Sequence, residues 1–229
     1  MKILHYTLAA SALLSLCACA VAPSPTAPST TATLDASLTA ADGAESSFSR
    51  AFLQNGYEAP DHIEPIRVLR GPLRVYLRTQ DDSGRVIDEA SLNLTQRVLN
   101  EAVWIWSGET FRITEVTRGT GTREKTPGWL TVKWSGTASP DRCGRSTVGV
   151  DGGSIEFNTS GSCSCGLSTV IYPRLIRHEL GHAMGYYHTD GPGDVMYGRS
   201  ITSDACDLLP SDRERRQAKL IHSQFQVVR

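Results

Sequence analysis

One stretch of this chain, HELGHAMGYYH, constrains it more than any other because it has the spacing HExxHxxGxxH. Residues four apart lie on the same face of a helix, so His178 and His182 can offer two imidazoles to one metal ion. Gly185 can adopt the left-handed conformation that ends a helix, which lets His188 return as a third ligand. Glu179 falls at the edge of the same face, where its carboxylate can reach a water on the metal. Three neutral histidines with one open position are typical of a catalytic zinc site.

A methionine downstream extends this pattern into a resemblance to a known clan. The motif and Met196, the only methionine that follows it, resemble the signature and methionine turn of the metzincin zinc endopeptidases. Tyr197 directly after the methionine is similar to the matrixin (collagenase-like) pattern. Gly198 stands where astacins and serralysins place a tyrosine, so a tyrosine ligand is not expected. The resemblance implies that Met196 forms an apolar floor beneath the histidines.

The resemblance implies hydrolysis of peptide bonds in a peptide or protein substrate. Zinc would activate a water, and Glu179 would take its proton and later deliver it to the leaving amine. One alternative is an exported binding or adhesion module with a structural zinc, although no fourth Cys or His lies near the motif at ligand spacing. Another is a zinc hydrolase of cell-wall peptides. The sequence assigns no substrate-binding residues that would separate these functions.

Composition excludes a nucleic-acid partner. The 229 residues are 40% hydrophobic and 21% charged, which is typical of one globular domain with a tail. The formal net charge is -1 and the basic residues are scattered, so no basic patch for nucleic acid is visible. We expect a monomer.

The N-terminus has the pattern of an export signal. An apolar run at residues 8–16 follows Met1-Lys2 and precedes small residues, which predicts a signal peptide over residues 1–18. Leu16-Cys17-Ala18-Cys19 resembles a bacterial lipobox, in which Cys19 becomes a lipid-modified N-terminus that anchors the protein to a membrane. The alternative is cleavage after Ala20, which would release a periplasmic or secreted protein. We expect a cell-envelope lipoprotein.

The rest of the chain divides into a spacer and a domain. Residues 19–66 begin with a stretch rich in Ala, Pro, Ser and Thr, which predicts a flexible spacer, with a short helix at residues 45–53 that could belong to a pro-segment. Residues 67–229 form the predicted catalytic domain.

Four cysteines remain after the signal peptide and Cys19. An even number in an exported chain favours two disulfides. A bond between Cys163 and Cys165 is sterically poor, so Cys143 and Cys206 would each pair with one of these two. A second metal site made of the cysteines is the alternative.

The hydrophobic pattern predicts an α/β (α+β) domain. Strands are predicted at residues 73–77, 111–116, 129–134, 146–150 and 154–158, and helices at residues 89–106 and 172–184. Ser211 and Glu214 form a capping box that begins a C-terminal helix. The expected fold is a metzincin-like domain with a mixed, twisted five-stranded sheet, an active-site helix and a C-terminal helix. By the same resemblance, residues 146–150 would form an edge strand above the cleft, which an extended peptide can join.

Overall fold

The computed structural model describes residues 43–136, 142–159, 171–199 and 205–226. The predicted signal peptide, Cys19, Cys163 and Cys165 lie outside these residues. The elements follow in the order α1 (Gly43–Gln54), β1 (Leu73–Arg78), α2 (Glu89–Trp106), β2 (Ile113–Gly119), β3 (Trp129–Ser135), β4 (Gly144–Ser146), β5 (Ser154–Asn158), α3 (Pro173–Met184) and α4 (Asp212–Gln226). No helix among the described residues is long and apolar enough to cross a membrane.

The five strands form one mixed sheet in the order β2-β1-β3-β5-β4. The pairs among β2, β1, β3 and β5 are parallel, and β4 runs antiparallel to β5 at the edge. Buried apolar residues of β1, β3 and β5 belong to one core cluster together with buried residues of the helices. The predicted fold class, an α/β domain with a mixed five-stranded sheet, a helix that carries the HExxH motif and a C-terminal helix, is confirmed.

The edge strand lies earlier in the chain than the sequence predicts. We expected it at residues 146–150, but β4 comprises Gly144–Ser146. After Thr147, whose N–H still donates to the Ser154 carbonyl, the chain turns at Gly149, which has a φ of 58°. The N–H of Gly149 donates to the carbonyl of His182 in α3 instead of to a strand. This tertiary contact ends the strand and leaves β4 beside α3.

Helix α2 has the bounds that its periodicity predicts. Asp88 caps its N-terminus by accepting a hydrogen bond from the N–H of Ser91 at 2.8 Å. The helix buries Leu99, Val103 and Trp106 against the sheet and α3. The indole N–H of Trp106 donates to the Arg177 carbonyl, which joins α2 to the helix that carries the motif.

Helix α1 packs into the same core, although the sequence places it in a spacer that ends at residue 66. Phe52 and Leu53 are fully buried, and the ring of Phe52 stacks on that of Tyr186 with centroids 4.4 Å apart. The ring of Trp106 lies 6.1 Å from the same phenylalanine. Helix α1 therefore contributes buried side chains to the core of the predicted catalytic domain, and the division of the chain into a spacer and a domain stays a prediction.

Candidate metal centre

Helix α3 begins and ends at residues that explain its length. Tyr172 is extended at the N-cap and Pro173 occupies the first turn, where its missing N–H leaves no bond unmade. At the other end Gly185 has a φ of 110°. Only glycine fits here, because other residues rarely adopt this φ and because a Cβ would overlap the carbonyl of Arg67. The chain then reverses and brings His188 back over the helix.

The three motif histidines converge on one point. The Nε2 atom of His188 lies 3.1 Å from Nε2 of His178 and 3.1 Å from Nε2 of His182. Among the described residues, these three side chains form the one cluster that could hold a metal ion, with ligand atoms within 4.8 Å of one another.

For His178 and His182, the hydrogen-bond partner of Nδ1 indicates which tautomer is present. Nδ1 of His178 lies 2.8 Å from the Val195 carbonyl, and Nδ1 of His182 lies 2.8 Å from the Tyr186 carbonyl. Because both partners only accept, each Nδ1 carries the proton and each Nε2 presents a lone pair to the centre. Lone pairs that point at one another repel unless a cation lies between them. The donor set therefore fits a divalent metal ion with imidazole ligands.

The third histidine has a different partner, which sequence reasoning missed. Nδ1 of His188 lies 2.5 Å from Oε1 of Glu58, on the loop after α1. The two residues are separated by 130 positions, and no motif marks Glu58 in the sequence. Only the packing of α1 brings this carboxylate to the site.

Burial keeps the first two imidazoles in the neutral form that binds metals. Desolvation, with smaller contributions from the neighbouring histidines, lowers the pKa of His178 well below its usual value. Burial likewise lowers the pKa of His182 to about 3. Neither ring needs to lose a proton before it can bind a metal at neutral pH.

Glu179 follows His178 directly in α3. Its side chain is buried, and its Oε2 has no hydrogen-bond partner among the described residues. Burial raises the pKa of Glu179 to about 8. A buried carboxyl without a partner is costly, and such groups are concentrated at functional sites.

The edge strand β4 passes close above this carboxyl. A Cβ on Gly144 would overlap the Glu179 carboxyl group, so the strand can lie this near only because the residue is glycine. Gly144, Glu179 and the three histidines all line one cleft of about 560 Å³. The cleft gives a ligand access to both the metal position and the carboxyl.

Met196 lies directly beneath α3. The residue is fully buried, and a Cβ on Gly181 would overlap its sulfur. The carbonyl of Met196 accepts from the N–H of Thr189 at 2.9 Å, which ties the turn to the residue after His188. Met196 thus packs against α3 at Gly181, and its role as an apolar floor beneath the histidines remains a prediction.

Glu214 holds the methionine turn in place. The predicted capping box is present, since Glu214 accepts from the N–H of Ser211 at 2.6 Å and donates its own N–H to the Ser211 hydroxyl. The same carboxylate also accepts from the N–H groups of Val195 at 3.1 Å and Met196 at 2.8 Å. Burial raises the pKa of Glu214 to about 7, against the opposite effect of these donors. The capping box was visible in the sequence, but the contact with the turn was not.

Cys143 and Cys206 are each disulfide-bonded in the structure. Cys143 lines the cleft beside Gly144, and the carbonyl of Cys206 accepts from the N–H of Arg174 in α3. Cys163 and Cys165 fall outside the described residues, so the predicted pairing remains a prediction.

The chain is similar to solved structures, although it matches no family model and no curated protein. The crystal structure of metalloproteinase-II from Bacteroides fragilis is similar over 68% of this chain, with 15% sequence identity and a TM-score of 0.43. The match covers 55% of that protein, so this chain spans about half of its length. The neighbour is a metalloproteinase, but at this similarity the functional conclusion rests on the site itself.

Proposed function

We propose that this protein is a zinc-dependent endopeptidase of the metzincin type with a matrixin-like methionine turn. One observation supports this above all others. The lone pairs of His178, His182 and His188 converge beside Glu179, a buried carboxyl without a partner among the described residues, in an accessible cleft. Zinc is the metal proposed because it accepts three imidazoles and keeps a fourth position open in hydrolytic sites.

The zinc ion would be held by the three Nε2 atoms, and it would supply Lewis acidity that polarises the scissile carbonyl and a water. Glu179 takes one proton from the attacking water, whose hydroxyl group adds to the carbonyl carbon. The peptide C–N bond then breaks, and Glu179 delivers that proton to the leaving amine nitrogen. Burial raises the pKa of Glu179 to about 8 in the metal-free protein, and the positive charge of a zinc ion beside it would favour the carboxylate form that accepts the proton.

The edge strand is the proposed guide for the substrate. Gly144, Arg145 and Ser146 of β4 line the cleft next to Glu179. An extended peptide that adds to a sheet edge has its backbone aligned by hydrogen bonds whatever its side chains are. This arrangement would bring a scissile carbonyl alongside the metal position and supports an endopeptidase.

The binding module with a structural zinc is less well supported. A structural zinc site has four protein ligands, whereas the described residues offer three at this centre and the fourth side opens into the cleft. A hydrolase of cell-wall peptides would use the same chemistry. Export, lipid anchoring at Cys19 and a monomeric state are proposed from the sequence alone.

The test is Glu179→Gln in the full chain, with Glu101→Gln on the exposed face of α2 as the matched control. General acid–base catalysis contributes about 10² to 10⁴-fold, so we expect Glu179→Gln to lower peptide hydrolysis at least ~100-fold. The zinc content and the free energy of unfolding of Glu179→Gln should equal those of wild type, and Glu101→Gln should cleave peptides at the wild-type rate. Cleavage of a denatured proteome, read by mass spectrometry, would supply both the rates and the bonds that are cut. A Glu179→Gln variant that keeps its zinc and its full rate would refute the mechanism.

A further inference from the structure

Glu58 distinguishes the third imidazole from the other two. The Nδ1 acceptors of His178 and His182 are backbone carbonyls, whereas that of His188 is a carboxylate from the segment that precedes the predicted catalytic domain. We propose that Glu58 is a positioning residue for His188 and that residues 43–66 are a permanent part of the metal centre, not a removable pro-segment. The proposal rests on the proposed zinc site.

His188 needs such a partner more than the other two ligands do. His178 and His182 are held by helix α3, but His188 lies beyond Gly185 and outside any helix. Its imidazole is only 21% exposed and lies between the cleft and the loop that carries Glu58. A carboxylate that accepts the Nδ1 proton leaves Nε2 as the metal-binding atom and fixes the orientation of the ring.

The segment that carries Glu58 is attached on both sides of His188. Before the histidine, the N–H of Tyr187 donates to the Phe52 carbonyl at 2.7 Å. After it, the guanidinium of Arg199 donates to the hydroxyl of Tyr57 at 3.0 Å. Glu58 follows Tyr57 directly, so these contacts hold its backbone at the rim of the cleft.

Packing shows that this segment cannot leave without cost. Phe52 is fully buried between Tyr186 and Trp106, and Phe48 and Leu53 are buried with it. Removing these side chains would uncover Tyr186, two residues before His188. An inhibitory segment must be released from the folded domain, whereas this one shares its core.

The experiment measures zinc affinity in the full chain by competition with a chromophoric chelator. Glu58→Ala removes the acceptor and Glu58→Gln keeps an amide oxygen in its place. Asp61→Ala is the matched control, since this exposed carboxylate lies on the same segment and away from the cleft. Loss of a residue that orients a metal ligand typically weakens metal binding about 10 to 100-fold, and we expect this for Glu58→Ala. Glu58→Gln should bind zinc more tightly than Glu58→Ala, and Asp61→Ala should match wild type.

Thermal unfolding of the metal-free variants shows whether a substitution has simply destabilised the fold. If Glu58 positions His188, Glu58→Ala should lower the zinc affinity much more than it lowers the stability of the metal-free protein. Equal zinc affinity of Glu58→Ala and wild type would overturn the proposal, and so would equal affinity of the alanine and glutamine variants. Tighter binding or faster peptide cleavage by Glu58→Ala would show that Glu58 obstructs the centre, as expected of a pro-segment. A wild-type protein that binds no zinc would instead refute the proposed function, so the two failures are distinguishable.

Discussion

Replacing Glu214 with alanine tests how the methionine turn is held beneath the metal centre. Glu214 is fully buried, and its carboxylate accepts hydrogen bonds from the N–H groups of Val195, Met196 and Ser211 at 3.1, 2.8 and 2.6 Å. Alanine leaves three donors without this acceptor, and a buried unsatisfied donor costs about 1–3 kcal/mol. Water that enters the vacated space compensates part of this loss. We therefore expect the free energy of unfolding to fall by about 3–5 kcal/mol, a large part of the stability of an ordinary domain.

Urea unfolding of the metal-free protein provides the measurement, because zinc binding would otherwise add to the stability of the folded state. About pH 5 is suitable, since it lies below the pKa of about 7 to which burial raises Glu214, so the folded wild-type protein carries little cost of ionising this buried carboxyl. Glu101→Ala on the exposed face of α2 is the control, and a surface change of this kind should cost no more than ~0.5 kcal/mol. A loss below about 1 kcal/mol for Glu214→Ala would show that the three bonds do not anchor the turn.

Two further outcomes follow from the packing. Gly144→Ala should lower peptide hydrolysis at least ~10-fold with zinc content retained, because the added methyl group overlaps Glu179; Gly193→Ala, in open space, should match wild type in the same assay. Burial lowers the pKa of His222 to about 4 from its usual 6.5, so the unfolded chain binds its proton first as the pH falls from 6.5 to 4. The free energy of unfolding of wild type, measured in urea relative to that of His222→Phe, should therefore fall by up to about 3 kcal/mol across that interval. A difference between the two proteins that does not change with pH would contradict the lowered pKa of His222.

The features predicted correctly from the sequence are those that neighbouring residues encode. Helical spacing gave the bounds of α2, since an apolar face repeats along one continuous segment. The capping box at Ser211 depends on residues three apart, and the four-residue spacing of His178 and His182 places both rings on one face of α3. Periodicity over a few residues survives in any tertiary context that keeps the helix.

The edge strand shows where such patterns are insufficient. Residues 146–150 have the composition of a strand, but Gly149 donates its N–H to His182 and turns the chain away from the sheet. The position of β4 is therefore set by a contact with α3, and no pattern within the segment indicates it.

The contacts that complete the metal centre depend on long-range packing. Glu58 reaches His188 across 130 positions because burial of Phe52 holds the preceding helix against the core, so residues expected to form a spacer supply part of the site. The two hydrogen bonds that the Glu214 carboxylate accepts from Val195 and Met196 likewise depend on how α4 packs. Local sequence encodes which side chains share one face of a helix. The partners that these side chains meet on other elements depend on how the core packs, so only the tertiary structure shows them.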